Sequence, residues 1–153
     1  MTRQTTEVDF DFIIKRKGEG PSIGIELKAR EDITDKVDQN FRDKLWRARL
    51  PHGILITRKR IRVYEDLLLG DGPKTYKGGD ARTEDLLKLV ARDQGDIKDA
   101  DLYPALASQW LELLVENWGR AIPSHLTEPL ICLVSSAADG ELVKNSSLEA
   151  VKQ

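Results

Sequence analysis

Apolar and polar positions alternate from Val8 to Ile14. Val8, Phe10 and Phe12 are separated by Asp9 and Asp11, and Ile13-Ile14 turn the run fully apolar. A period of two predicts a strand. Lys15-Arg16-Lys17-Gly18-Glu19-Gly20-Pro21 carries turn residues, and Ser22 to Lys28 reads as the returning strand of a hairpin. The period then changes. Val37, Phe41, Leu45 and Ala48 recur at spacings of 4, 4 and 3, one apolar stripe of a helix laid on a sheet. Thr34 or Asp32 can cap this helix, Asp35 suits its first turn, and it runs to about Arg49 before Pro51 ends it. Gly53 to Thr57 is a short apolar strand, Arg58-Lys59-Arg60 a tight charged turn, and Ile61 to Glu65 alternates as the return strand.

The remainder predicts more helix. Leu67-Leu68-Leu69 reads as a short packed run, and Gly70, Gly72, Pro73, Gly78 and Gly79 make residues 66–81 a long loop. Gly70 to Thr75 lacks the spacing of a nucleotide-binding P-loop and puts Pro73 where an amide is needed. Thr83 caps a helix to about Arg92, with Leu86, Leu87, Val90 and Ala91 on its apolar face. Asp93 to Asp101 is an acidic loop. Pro104 opens a helix to about Trp118, whose broad face of Leu106, Trp110, Leu113 and Leu114 is buried or mates with another subunit. Pro129 to Ser136 fits a strand or a short helix equally, and Gly140 to Gln153 carries a weak helix signal. The expectation is an α/β domain over residues 1–153, with a core at 1–65, a loop at 66–81 and a mainly helical completion or interaction region at 82–153.

Composition narrows the class. The chain has 153 residues, 40% hydrophobic and 33% charged, enough for a sizeable core. No apolar run approaches the ~20 residues that span a bilayer. Met1 to Glu7 has no apolar region of signal-peptide type. Cys132 is the only cysteine, so no internal disulfide forms, and the cytoplasm is the expected compartment. The net charge of −2 hides an asymmetry. Residues 1–62 hold 15 Lys/Arg against 10 Asp/Glu, residues 63–153 hold 9 against 16. Within 42–62, Arg42, Lys44, Arg47, Arg49, Arg58, Lys59, Arg60 and Arg62 face Asp43 alone. Local basic patches of this kind bind phosphate backbones, although a solvated helix face and a charged hairpin tip look the same in sequence.

Side chains two apart on a strand share a face, so Glu26 and Lys28 point the same way. With the hairpin centred near Gly18-Glu19, opposed positions sum to about 37: Asp11 faces Glu26 and Asp9 faces Lys28. Two carboxylates that close repel unless one is protonated or a cation lies between them. Oxygen donors of this kind suit a hard divalent ion. A neighbouring lysine can orient a bound water or neutralise a phosphate.

The ordered set of an acid, a hairpin, Glu26-Leu27-Lys28 at the end of an apolar strand, a helix and a second hairpin resembles the PD-(D/E)xK nuclease superfamily. The likeness is to restriction-endonuclease domains, including the amino-terminal part of type I restriction subunits, and covers about residues 8–65. It implies a restriction-endonuclease-like mixed sheet flanked by helices, and hydrolysis of DNA phosphodiester bonds in restriction, repair or defence. It also implies Mg²⁺ or Mn²⁺ held by Glu26 and by Asp11, with Asp9 in reserve. Lys28 would position the attacking water, Gln39 would orient the site from the helix, and the basic residues of 42–62 would hold DNA. A homodimer or a larger protein complex is the matching assembly. Two features depart from the family's pattern. Phe10 or Val8, not proline, precedes the acid, and residues 1–7 leave almost no room for the usual leading helix. Trp46 is a possible stacking surface for a base, whereas His52 and His125 stand without catalytic or zinc-site partners in sequence. The competing readings are a nuclease-fold module that binds nucleic acid or protein without catalysis, and an unrelated α/β protein.

Overall fold

Parallel neighbours in a sheet need a crossover between them, and one such pair organises this chain. The structure, a computed structural model, describes residues 6–16, 18, 20–66, 72–91, 103–123 and 140–150. Strands β1 (Thr6–Arg16) and β2 (Gly20–Leu27) form an antiparallel hairpin. Helix α1 (Asp35–Arg47) then crosses to β3 (His52–Ile56), which lies parallel to β2. Strand β4 (Arg60–Glu65) returns antiparallel. A 3-10 turn at Pro73–Thr75 leads to β5 (Lys77–Arg82) and α2 (Thr83–Ala91). Helix α3 (Tyr103–Glu116), the four-residue α4 (Trp118–Ala121) and β6 (Glu141–Ala150) follow. The sheet is six-stranded and mixed, in the order β5-β4-β3-β2-β1-β6.

The hairpin keeps the expected register: Phe12 opposes Ile25, Ile13 opposes Gly24 and Ile14 opposes Ile23, before an irregularity at Ile14/Lys15 shifts it by one. Left-handed backbone at Gly18 (φ 78°) and Gly20 (φ 82°) closes the turn. Thr34 caps α1, its hydroxyl accepting from the Val37 amide at 3.2 Å.

Each face of the sheet has its own core. One face carries Phe12, Ile14, Ile23, Ile25, Ile54 and Ile56 against α2 and α3, whose Trp110 is fully buried with its indole N–H on the Ala121 carbonyl at 2.9 Å. The other face carries Val8, Phe10, Ile13, Leu55 and Tyr64 under the Val37, Phe41 and Leu45 stripe of α1. Gly24 and Gly53 lie side by side on β2 and β3 on this second face. A Cβ on Gly53 would come within 2.5 Å of Leu45 Cδ1 and 2.9 Å of Phe41 Cε2, and one on Gly24 within 2.6 Å of Phe10 Cε1. The missing methyls are therefore what lets α1 settle on the sheet.

Two expectations are corrected. The stretch read as loop contains β5, whose Lys-Gly-Gly-Asp-Ala-Arg sequence has no apolar alternation and is a strand because it pairs with β4. The tail read as weakly helical contains β6, which pairs with β1 from Thr6↔Ala150 to Lys15↔Glu141. Residues 82–153 thus hold α2, α3 and α4 but also a ten-residue strand. The Leu67 to Leu69 run, the acidic loop over 93–101, His125, Cys132 and the segment 129–136 lie outside the described residues. No described helix is long and apolar enough to cross a membrane.

Gly53→Ala should lower stability by about 1–3 kcal/mol in urea titration, because overpacking outweighs the ~0.4–1 kcal/mol gained from a stiffer unfolded chain. His52 is buried, and burial is the chief cause that holds its pKa below the ordinary value, with Arg16 helping and Glu65 opposing. A neutral histidine favoured by the fold contributes stability above the unfolded pKa of about 6.5, and that share is lost as pH falls through it. The urea midpoint of the native protein should therefore drop more between pH 7.5 and pH 5.5 than that of His52→Gln, both chosen as roughly one unit either side of that value.

Candidate active site

A carboxylate buried at a strand end needs partners, because desolvation of the charge is costly. Glu26 is only 4% exposed and lies on the α1 face of β2, opposite to Ile25. Each of its oxygens has an ammonium. Lys28 Nζ is 2.9 Å from Oε2, and Lys44 Nζ pairs with Oε1. Lys28 follows Glu26 by two residues and shares its face. Its backbone is held twice, the amide donating to the Ile56 carbonyl at 2.8 Å and the carbonyl accepting from the Tyr103 hydroxyl at 3.1 Å. Lys44 reaches Glu26 from α1, one residue before Leu45, which seats on Gly53. A cleft of about 250 Å³ opens here, lined by Glu26, Lys28, Arg30, Val37, Asn40, Phe41 and Lys44.

Asp11 approaches from β1. One step beyond the Phe12↔Ile25 pair, the register puts Asp11 across from Glu26. The pleat breaks at this point. Val8, Phe10 and Ile13 pack with α1, while Phe12 and Ile14 pack on the opposite face, so strict alternation fails between Phe10 and Ile13. The Asp11 carboxylate takes up the irregularity, accepting the Leu27 amide on Oδ2 at 2.8 Å. Burial pushes the Lys44 pKa down, and the charges of Asp11 and then Asp9 pull it part of the way back. Glu26, Asp11 and Asp9 thus all act on one ammonium.

Gln39 is exposed on α1, and the cleft is lined instead by Asn40, one residue and about 100° further round the helix. Asn40 and Arg30 are the site residues that sequence reasoning passed over. The position of Asn40 four before Lys44 was the available signal for the first. Nothing in the sequence singled out Arg30.

The basic residues of 42–62 are more neutralised than their linear count implied. Arg42 pairs with Asp38 at 2.9 Å and also donates to the Tyr76 carbonyl. Arg62 lies between Asp80 at 2.6 Å and Asp38 at 3.1 Å, and Tyr64 donates to Asp38 at 2.6 Å. Burial pushes the Asp38 carboxyl up, but the Tyr64 hydrogen bond and the two arginines outweigh it and hold it below the usual range. Arg60 pairs with Asp32 at 3.3 Å and Asp80 at 3.4 Å. Arg58 and Lys59 face the exposed Glu31 at 3.7 and 3.4 Å, Arg47 faces Asp43 at 3.9 Å, and Arg49 lies 4.2 Å over the Trp46 ring. The amides of Arg58 and Lys59 donate to the carbonyls of Arg30 and Glu31, at 3.0 and 2.8 Å, which draws the β3–β4 turn toward the cleft. Arg42 and Arg62 are held in the fold by Asp38 and Asp80; Lys28, Arg30 and Lys44 line the cleft, and Arg58 and Lys59 lie on the turn bonded to residues 30 and 31.

Among the described residues, no group of three or more His, Cys, Asp and Glu side chains is arranged to hold a metal ion. Asp11 and Glu26 are a two-carboxylate donor set, which suits an ion that keeps several waters, as Mg²⁺ does. Such an ion reaching Glu26 meets a carboxylate whose two oxygens each already carry an ammonium. Comparison with protein-family models, curated proteins and solved structures finds no match for this chain.

Asp38→Ala should destabilise the fold by about 2–3 kcal/mol, because Tyr64, Arg42 and Arg62 each lose an acceptor. Chemical denaturation measures the loss, and an unchanged midpoint would show that the network carries no stability.

Proposed function

We propose that the protein is a metal-dependent nuclease that hydrolyses DNA phosphodiester bonds. The observation that carries this reading is the Asp11 carboxylate on the Leu27 amide, between the paired Glu26 and Lys28 at one end of the β1–β2 hairpin, beside a cleft lined by Lys28, Arg30 and Lys44. Asp11 and Glu26 are the residues that would hold Mg²⁺ or Mn²⁺. The ion would supply a water of lowered pKa and draw charge from the phosphate. Lys28, fixed through both its amide and its carbonyl, orients the attacking water. Arg30 and Lys44 hold the phosphate oxygens, and their charge opposes the negative charge that builds up in the transition state. Asn40 offers an amide donor to the sugar-phosphate chain. Arg58 and Lys59 extend the cationic rim along the strand, their exposed pairing with Glu31 being weak enough to yield to phosphate.

One observation favours a second reading. Both oxygens of Glu26 are occupied by ammoniums. A chain that keeps those pairs is a nuclease-fold module that binds nucleic acid or protein without cutting.

Cleavage of supercoiled and linear DNA with Mg²⁺ or Mn²⁺ separates the two. The nuclease reading expects cutting by the native protein and a loss of about 10²-fold or more in Glu26→Gln and Lys28→Ala that remain folded. Intact DNA of every form, with retention of DNA on the protein, supports the binding module.

A further inference from the structure

The two ammonium partners of Glu26 are not equivalent. Lys28 belongs to the same strand end as Glu26, with its backbone tied at both amide and carbonyl. Lys44 comes from another element. Its ammonium sits on the second Glu26 oxygen, its charge is drawn by Asp11 and Asp9, and it lies 5.4 Å over the Phe10 ring. The Lys44 ammonium thus sits on Glu26 and in the field of Asp11, the two carboxylates that would hold a divalent ion. Lys44 also lines the cleft, and 30% of its side chain is exposed, so the flexible four-carbon stem has an open direction in which to turn.

We infer that Lys44 is an internal competitor for the divalent cation and a phosphate ligand once displaced. This rests on the reading of Asp11 and Glu26 as cation ligands. In the metal-free protein Lys44 neutralises Glu26 together with Lys28, its other ion-pair partner among the described residues. A divalent ion brings twice the charge to the same carboxylates and takes its place. The released ammonium swings into the cleft beside Lys28 and Arg30, where it adds a third cation facing a phosphate. Because the competing group is tethered to the protein, no dilution removes it, and the native affinity for the ion is correspondingly reduced. One residue therefore couples the arrival of the metal to the assembly of the phosphate site.

Calorimetric titration with Mn²⁺ tests this on the native protein, Lys44→Met and Glu26→Gln. The expected result is binding about tenfold or more tighter in Lys44→Met, the scale of ordinary coupling between sites, and lost in Glu26→Gln. Binding by Lys44→Met alone supports the inference as well, and assigns the native chain to the non-cutting module. Equal or weaker binding in folded Lys44→Met, with native binding intact, overturns the inference and leaves the metal reading standing. No binding by either protein overturns both. If Lys44→Met fails to fold, the lysine Nζ resonances of the native protein decide the matter. The Lys44 signal should shift as Mg²⁺ saturates the protein, and an unmoved signal at saturation overturns the inference.

Discussion

Gly53 carries no side chain, and the position of α1 depends on that. Leu45 and Phe41 occupy the space that a β-carbon would fill, and Phe41 in turn meets Phe10 edge-on at 6.4 Å and Tyr64 at 5.1 Å. The helix is held close enough for Lys44, beside Leu45, to reach the Glu26 carboxylate. A residue of ordinary size at position 53 would lift this face of the helix and open the Glu26 pair before it disturbed any other charge. Core packing and site electrostatics are thus one constraint here, because the same turn of α1 supplies the apolar anchor and the cation.

Helix α1 is also clamped along its other side. Asp38 gathers Arg42, Arg62 and Tyr64, and Arg62 continues to Asp80 on β5. This network ties α1 to β4 and the edge strand β5, whereas the Lys44–Glu26 pair ties it to β2. The strap after β2 is fixed in the same manner. Tyr103, buried among the residues of the opposite core, donates to the Lys28 carbonyl. Both helical layers therefore bear on the few residues around the cleft, which is what holding charged groups to within a fraction of an ångström requires.

Local features were readable from the chain. The strand over Val8 to Ile14, the Thr34 cap and the Val37-Phe41-Leu45 stripe are all consequences of neighbours in sequence, and the structure has them, although the alternation of faces breaks between Phe10 and Ile13. The register that brings Asp11 to Glu26 needed only the turn position. Long-range pairing was not readable. Strand β5 is mostly Gly and charged residues, and it is a strand because β4 offers it an edge. Strand β6 exists through β1, more than a hundred residues away. The acidic partners of the basic run of 42–62 were hidden for the same reason. Its partners Asp80 and Glu31 lie outside the window, and Asp38 lies one helical turn before it. Gln39 and Asn40 differ by one step of helical rotation, and only the seating of α1 decides which of them faces the cleft.

The proposed cation site, with Asp11 and Glu26 as its ligands, lies between β1 and β2. Paramagnetic broadening by substoichiometric Mn²⁺ in an amide NMR spectrum maps that site directly. The amides of residues 10–12 and 26–28 should broaden first, followed by those of α1 near Lys44, while β5 is unaffected. Broadening centred on Asp38 and Asp80, or none at millimolar Mn²⁺, the weak end of protein sites for divalent ions, would contradict it.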